Sequence, residues 1–293
     1  MVTFVAFVGS SPLVDLAILL VVAFAAGAIG SLMGVGGGLF LVPALILLFG
    51  VDVHVAVAAS LIGVVATTTG AAISRIGEGM VNLRLGMFLE TATVAGGLLG
   101  AIVSVTLLAA RSTVLIFVLI PVILLAAVLM SMGRPRTANQ RRPPDQLADR
   151  LRLGGVYVDP STGEREEYRV RGSTIGLTFA ALAGVASGLL GIGGGIFKVP
   201  AMNAFMNVPL RVASATSTLM IGVTATAGAF VYLFAGYIAF PLVTPIALAV
   251  LAGSYVSTHF GGTWPRLRLR FLFVGVLLLA AFLLFLRGVG VVG

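Results

Sequence analysis

Eight stretches of this chain, near 12–33, 53–76, 84–109, 113–132, 173–192, 210–235, 239–261 and 269–288, are apolar runs of about twenty residues. At about 1.5 Å per residue, such a run crosses a hydrocarbon core of about 30 Å as a helix. Two further apolar stretches, near 39–50 and 196–207, each follow a cluster of glycines and are too short to cross alone. They read as half-helices or re-entrant segments. The composition agrees: 59% of the residues are hydrophobic and 10% charged, with a mean hydropathy of +1.15. A soluble domain has about 45–50% apolar and about 25% charged residues. A water-soluble enzyme and a disordered segment are excluded. The high pI comes from arginines in loops beside apolar spans, as the positive-inside rule expects, and not from a nucleic-acid surface. The N-terminus has no basic region ahead of its apolar residues, so no cleaved signal peptide is read. The expectation is an all-α, multi-pass protein of the cell inner (plasma) membrane, with the lipid bilayer as its main partner.

The two halves are one module written twice. A shift of 157 residues places GAIGSLMGVGGGLFLVPA (27–44) on GVASGLLGIGGGIFKVPA (184–201) with ten identities in eighteen positions. The same offset pairs Val51 with Val208, Ser60 with Ser217, Thr67 with Thr224 and Gly96 with Gly253. The arginines indicate how the copies are related. With the Arg-rich centre of the chain inside, Arg75 and Arg84 also fall inside, while their repeat partners Tyr232 and Pro241 are uncharged and fall outside. Arg211, Arg266, Arg268 and Arg270 fall inside, leaving Arg111 and Arg287 on the outer face. Such a bias sets orientation. It requires an odd number of segments per copy, and so predicts two inverted repeats of about five membrane segments each. The expected division is a first membrane repeat over 1–133, an Arg-rich cytoplasmic linker over 134–172 and a second repeat over 173–293. Fifteen of the 28 charged side chains lie between Arg134 and Arg171. Within that linker, VYVDPSTGEREEYRV (156–170) has the pattern of two short strands around a turn.

The strongest chemical feature is GVGGG at 34–38 and GIGGG at 191–195, each followed by a proline, Pro43 or Pro200. It is not a dinucleotide fingerprint, because the third glycine of that motif is missing and no strand precedes it, and it is not a P-loop. Each glycine costs a helix about 0.8–1 kcal/mol relative to alanine, so Gly34, Gly36, Gly37 and Gly38, with Gly191, Gly193, Gly194 and Gly195, should break it. Non-helical backbone at membrane depth is tolerated only where it is buried in protein or lines a cavity. Free amides at a half-helix N-terminus make an anion site, and paired interruptions in two inverted halves point to a transporter's binding site. Close helix packing is the other role such glycines can serve. Pro43 and Pro200 are candidate hinges.

Polar residues follow each short segment: Ser60, Thr67, Thr68 and Thr69 in the first copy, and Thr216, Ser217, Thr218, Thr224 and Thr226 in the second. Hydroxyls here can hold an anion or bond back to helix carbonyls. Ser60 and Ser217 stand out because they match across the repeat. Lys198 is the only lysine in the chain, three residues beyond the second glycine cluster, with Leu41 as its repeat partner. Ionisable groups inside membranes mark substrate or proton pathways, and Lys198 is the candidate countercharge for an anion. Snorkelling to a surface, or a structural pair with a carboxylate, is its other reading. Glu90 and His259 are the candidates for proton coupling, with a salt bridge at the interface as the other reading of Glu90 and a helix-end cap as that of His259. No catalytic triad, metal cluster or carboxylate pair is apparent, so neither an enzyme nor a cofactor is expected.

The pattern G-[VI]-G-G-G-x-F-x-V-P-A, followed by VAVAAS (55–60) or VASATS (212–217), resembles the TauE/SafE sulfite exporter family, also called the 4-toluene sulfonate uptake permeases. The resemblance covers both membrane halves and leaves out the linker. It implies a secondary carrier of small sulfur-containing anions such as sulfite, thiosulfate, sulfoacetate or other organosulfonates. By position it implicates Gly34, Gly36, Gly37, Gly38, Pro43 and Ser60, with Gly191, Gly193, Gly194, Gly195, Pro200 and Ser217. Lys198 is outside that implication. The expected mechanism is alternating access, by rocking of one repeat against the other, around a site where the two breaks meet. H+ or Na+ is the candidate coupling ion. A passive anion channel with the same site, or a membrane subunit of a larger complex, are the alternatives.

Overall fold

The computed structural model describes residues 12–34, 36–77, 80–109, 112–132, 145–158, 165–260 and 266–289. The side chains of Arg75, Arg111, Arg266, Arg268 and Arg270, which enter the expected sidedness, lie outside the described residues.

The first half runs α1 (Pro12–Met33), α2 (Gly38–Phe49), α3 (Val53–Gly77), α4 (Leu83–Thr106) and α5 (Ser112–Met132). Next come a short α6 (Gln146–Arg150) and the strands β1 (Gly155–Val158) and β2 (Arg165–Tyr168). The second half is α7 (Ser173–Leu190), α8 (Gly195–Ala204), α9 (Leu210–Phe234), α10 (Phe240–Phe260) and α11 (Arg266–Gly288). Among the described residues, six helices are long and apolar enough to cross a membrane: α1, α3, α4, α7, α9 and α10. The protein is a polytopic all-α membrane protein. At about 1.5 Å per residue, α2 and α8 reach about 18 Å and about 15 Å, too short to cross, as the glycine clusters ahead of them foretold.

Packing repeats with the sequence. Helix α4 lies against α7, and its counterpart α10 lies against α1. Likewise α4 meets α9 while α10 meets α3, and α2 sits on α3 as α8 sits on α9. The seams between halves are made of glycine. A Cβ on Gly96 would strike the Ala181 carbonyl, and one on the equivalent Gly253 would strike the Phe24 carbonyl. Gly184 and Gly188 press in the same way on the backbone of Thr93 and Gly97. Without a hydrophobic force between helices in lipid, such close backbone approach is what holds them.

The central pair is α3 and α9. Leu61 packs on Gly228 and Thr68 on Gly222, so as α3 rises in number α9 falls. These equivalent helices of the two copies pass one another in opposite senses. Asp52 caps α3 by accepting from the His54 amide at 2.8 Å. The His54 ring is buried against Asp52 and stacked on Tyr237 at 5.0 Å.

The centre of the chain docks on the helices. β1 and β2 pair antiparallel, Gly155 opposite Tyr168. Leu153, Tyr157, Tyr168 and Val170 share a buried cluster with Leu85 and Leu89 of α4, Met202 of α8 and Val212 of α9. Asn82 joins three pieces here. Its side chain donates to the Leu153 carbonyl (2.8 Å) and the Tyr168 hydroxyl (2.7 Å), and its amide donates to Thr216 Oγ1 (3.0 Å).

Candidate functional site

The glycine clusters form two loops of matching geometry that touch each other. Gly34, Gly36 and Gly37 have φ of 67°, 81° and 49°; Gly191, Gly193 and Gly194 have 70°, 76° and 70°. A side chain is strained in that left-handed region, which accounts for three glycines of each cluster. The fourth has a different reason. A Cβ on Gly38 would collide with the Gly191 carbonyl, and one on Gly195 would come within 2.9 Å of the Gly34 carbonyl and strike the Ile221 side chain. Each half-helix therefore begins against the other copy's loop. Gly37 and Gly194 are the N-terminal caps of α2 and α8, and no side chain caps either helix. Two uncapped, electropositive N-termini thus start at one crossing. Pro43 and Pro200 lie inside α2 and α8, and each removes the helical hydrogen bond to the carbonyl four residues earlier.

The hydroxyls divide into three groups. Thr67, Thr68, Thr69, Thr218 and Thr226 bond back to carbonyls of their own helices. Thr216 accepts from Asn82. Ser60 and Ser217, equivalent in sequence, are used differently. Ser60 Oγ is fully buried and donates across the crossing to the Gly191 carbonyl at 2.8 Å, with the Gly38 carbonyl at 3.3 Å. Ser217 Oγ is equally buried and has no hydrogen-bond partner. It shares one face of α9 with Ser214 and Thr218, which lie against Gly34, and Ile221, which lies against Gly195. Ser187, whose Cβ stands beside Gly194, is a second buried hydroxyl without a partner.

Lys198 and Glu90, expected in separate roles, come together. Lys198 Nζ donates to Thr224 Oγ1 at 2.9 Å, and Thr224 donates to Glu90 Oε1 at 2.6 Å. Glu90 Oε2 lies 3.7 Å from Nζ, an ion pair without a direct hydrogen bond. The cluster unites α4, α8 and α9. At the repeat-related place the equivalent positions are Leu41 and Thr67 of the first copy and Ala247 of the second, and Leu41 packs on Gly63. His259 is elsewhere, exposed near the end of α10 and stacked on Tyr255 at 5.9 Å. Helix α10 packs on α1 and α3.

The model of the family described as Sulfite exporter TauE/SafE matches residues 19–284. The chain belongs to that family. It is 28% identical over 256 residues to a probable membrane transporter protein, YunE, of Bacillus subtilis (strain 168), covering 85% of this chain and 88% of the relative. It is 23% identical over 253 residues to a second, YdhB, of the same organism, covering 86% and 93%. No solved structure matches. This TauE/SafE protein is a membrane transporter and not an enzyme. Among its described residues no group of His, Asp or Glu could hold a metal ion.

A cleft of about 350 Å³ between the docked linker and the start of α4 is lined by Arg84, Arg152 and Arg169 together with Asp149 and Glu167. With both signs of charge on its walls, it has no clear preference for an anion. Sequence reasoning missed the use of Thr224 as a bridge and the burial of His54. A Thr about two turns from a matched serine, and a His two residues after an Asp at a helix start, were the available signals.

Proposed function

We propose that this protein is a secondary carrier of small sulfur-containing anions: sulfite, thiosulfate, sulfoacetate or other organosulfonates. The observation that carries the reading is the crossing of the two glycine loops, where uncapped α2 and α8 begin against the face of α9 that also carries the buried, unpartnered Ser217 hydroxyl. A sulfonate or sulfite oxygen needs donors, and backbone amides at helix N-termini with a free hydroxyl supply them. Ser60, whose proton is committed to the Gly191 carbonyl, holds the two loops together. Lys198 is the nearby positive charge.

The two copies act as inverted repeats, a reading supported by the opposite passage of α3 and α9. The glycine seams pair α1 with α10 and α4 with α7, so the bodies that move are mixed pairs drawn from both copies. Their relative motion exposes the crossing to one side and then the other.

Thermal stabilisation of the purified protein tests the reading, against sulfite, thiosulfate, sulfoacetate, taurine, sulfate and chloride. A ligand at about 100 times its Kd stabilises by about 2.7 kcal/mol. A shift with a sulfur oxyanion or sulfonate, and none with chloride, is expected. Flat curves with all six overturn the anion site.

A further inference from the structure

We infer that Lys198 and Glu90 form a proton-coupled latch, in which a monoanionic sulfonate takes over the Lys198 ammonium while Glu90 takes up a proton. The inference rests on the transport reading above and adds a second cargo to it.

The geometry is that of a pair made to part. Lys198 is 2% exposed, and its ammonium reaches Glu90 through the Thr224 hydroxyl rather than directly. Glu90 Oε2 is buried and makes no hydrogen bond, so one carboxylate oxygen is open to a proton. Thr224 stands one turn beyond Ile221, the residue that touches Gly195, so the latch lies about 4.5 Å along α9 from the glycine crossing. Lys198 is on the second turn of α8, the half-helix that starts there.

Charge balance then sets the stoichiometry. The resting pair is neutral. An anion that draws off the ammonium leaves the carboxylate as an uncompensated charge in a low-dielectric site, which is strongly unfavourable. One proton on Glu90 restores neutrality. Among the described residues, the docked linker brings Tyr157 and Tyr168 into the buried cluster beside α4, α8 and α9, and their hydroxyls are bonded to Glu166 and Asn82. Helices α5 and α7 carry no titratable side chain, α4 adds only Arg84, and α9 adds only Arg211 and Tyr232, at its two ends. The repeat-related place, Leu41 of the first copy with Ala247 of the second, has no charge, so the chain has one latch and couples one proton to one anion.

The test uses methanesulfonate, a monoanion at every pH of interest. For the purified full-length protein, its affinity falls about tenfold per pH unit between about pH 6 and about pH 8. In liposomes holding a pH-sensitive dye, methanesulfonate entering down its gradient acidifies the lumen. E90Q, a permanent mimic of the protonated state, binds methanesulfonate with an affinity that ignores pH and exchanges it without moving protons. Wild-type binding and counterflow with a flat pH profile and no acidification overturn the latch alone and leave the carrier standing. An E90Q protein that keeps the wild-type slope also overturns it. Absence of binding and counterflow with methanesulfonate, sulfite and thiosulfate alike overturns the carrier and the latch together. Both wild-type measurements stand even where the variant fails to fold.

Discussion

Ser60 of the first copy donates its hydroxyl proton to the carbonyl of Gly191 in the second, at 2.8 Å, and so ties one glycine loop to the other. Its repeat partner Ser217 makes no such bond. The duplicated serine has separated into two jobs, one that holds the crossing and one that is free to meet a ligand.

S60A and S217A should therefore differ in kind. S60A strands a buried carbonyl and should lose about 1–3 kcal/mol of stability. S217A removes a hydroxyl that nothing satisfies, so its melting temperature should hold or rise while methanesulfonate binding weakens. Melting curves with and without ligand separate the two. Equal loss of stability in both would mean that Ser217 has a structural partner.

Gly38→Ala should be far more damaging than Gly275→Ala. A Cβ at Gly38 runs into the Gly191 backbone, Val64 and Ser60, whereas one at Gly275 meets nothing within 4 Å. In mid-helix, Gly275→Ala should gain up to about 1 kcal/mol. Gly38→Ala should lose several-fold in folded yield and abolish ligand stabilisation, as read by size-exclusion profiles and melting.

The ion pair predicts a non-additive cycle. K198L alone leaves Glu90 charged and unpaired, and should cost about 3–5 kcal/mol at pH values where that carboxylate stays ionised. The double variant E90A/K198L copies the repeat partners Ala247 and Leu41, so it should recover most of that stability. It should nonetheless lose pH-dependent binding. A double variant no more stable than K198L would mean that the pair also shapes the local packing.

Acid should release the linker first. Partial burial works against charge on Asp145, but hydrogen bonds from the Ser173 amide and hydroxyl and from the Ala148 amide outweigh it and hold its carboxyl below the ordinary value of 3.8. A group whose folded value is lowered adds stability above its unfolded value and loses it as pH falls through the folded one. Limited proteolysis should then cut the linker faster as pH drops below about 4, whereas D145A should be cut faster at every pH, with about 0.5–2 kcal/mol of cap stability gone.

The membrane helices were legible because bilayer thickness fixes their length and hydropathy marks their ends. The run read at 53–76 is the helix Val53–Gly77, and the run at 210–235 is Leu210–Phe234. The glycine breaks were legible because backbone that leaves the helix needs residues without side chains. The meeting of Lys198 with Glu90 was not. The two belong to different copies, and their repeat partners Leu41 and Ala247 carry no charge that would have signalled a pair. Nor does a serine in a sequence show whether its proton goes to its own helix, as for Thr67, or across the molecule, as for Ser60.

The exchange of partners between halves has a consequence for biogenesis. Gly96 and Gly100 of α4 are surfaces cut for α7, Gly97 is cut for Thr224 of α9, and Gly27 of α1 is cut for α10. While the ribosome is still making the second half, those grooves face lipid tails that cannot enter them as closely as another backbone does. The first half therefore waits in the bilayer as an unfinished set of helices, in need of shelter until its second copy arrives. Severing the chain in the linker should give two fragments that are stable only when made together.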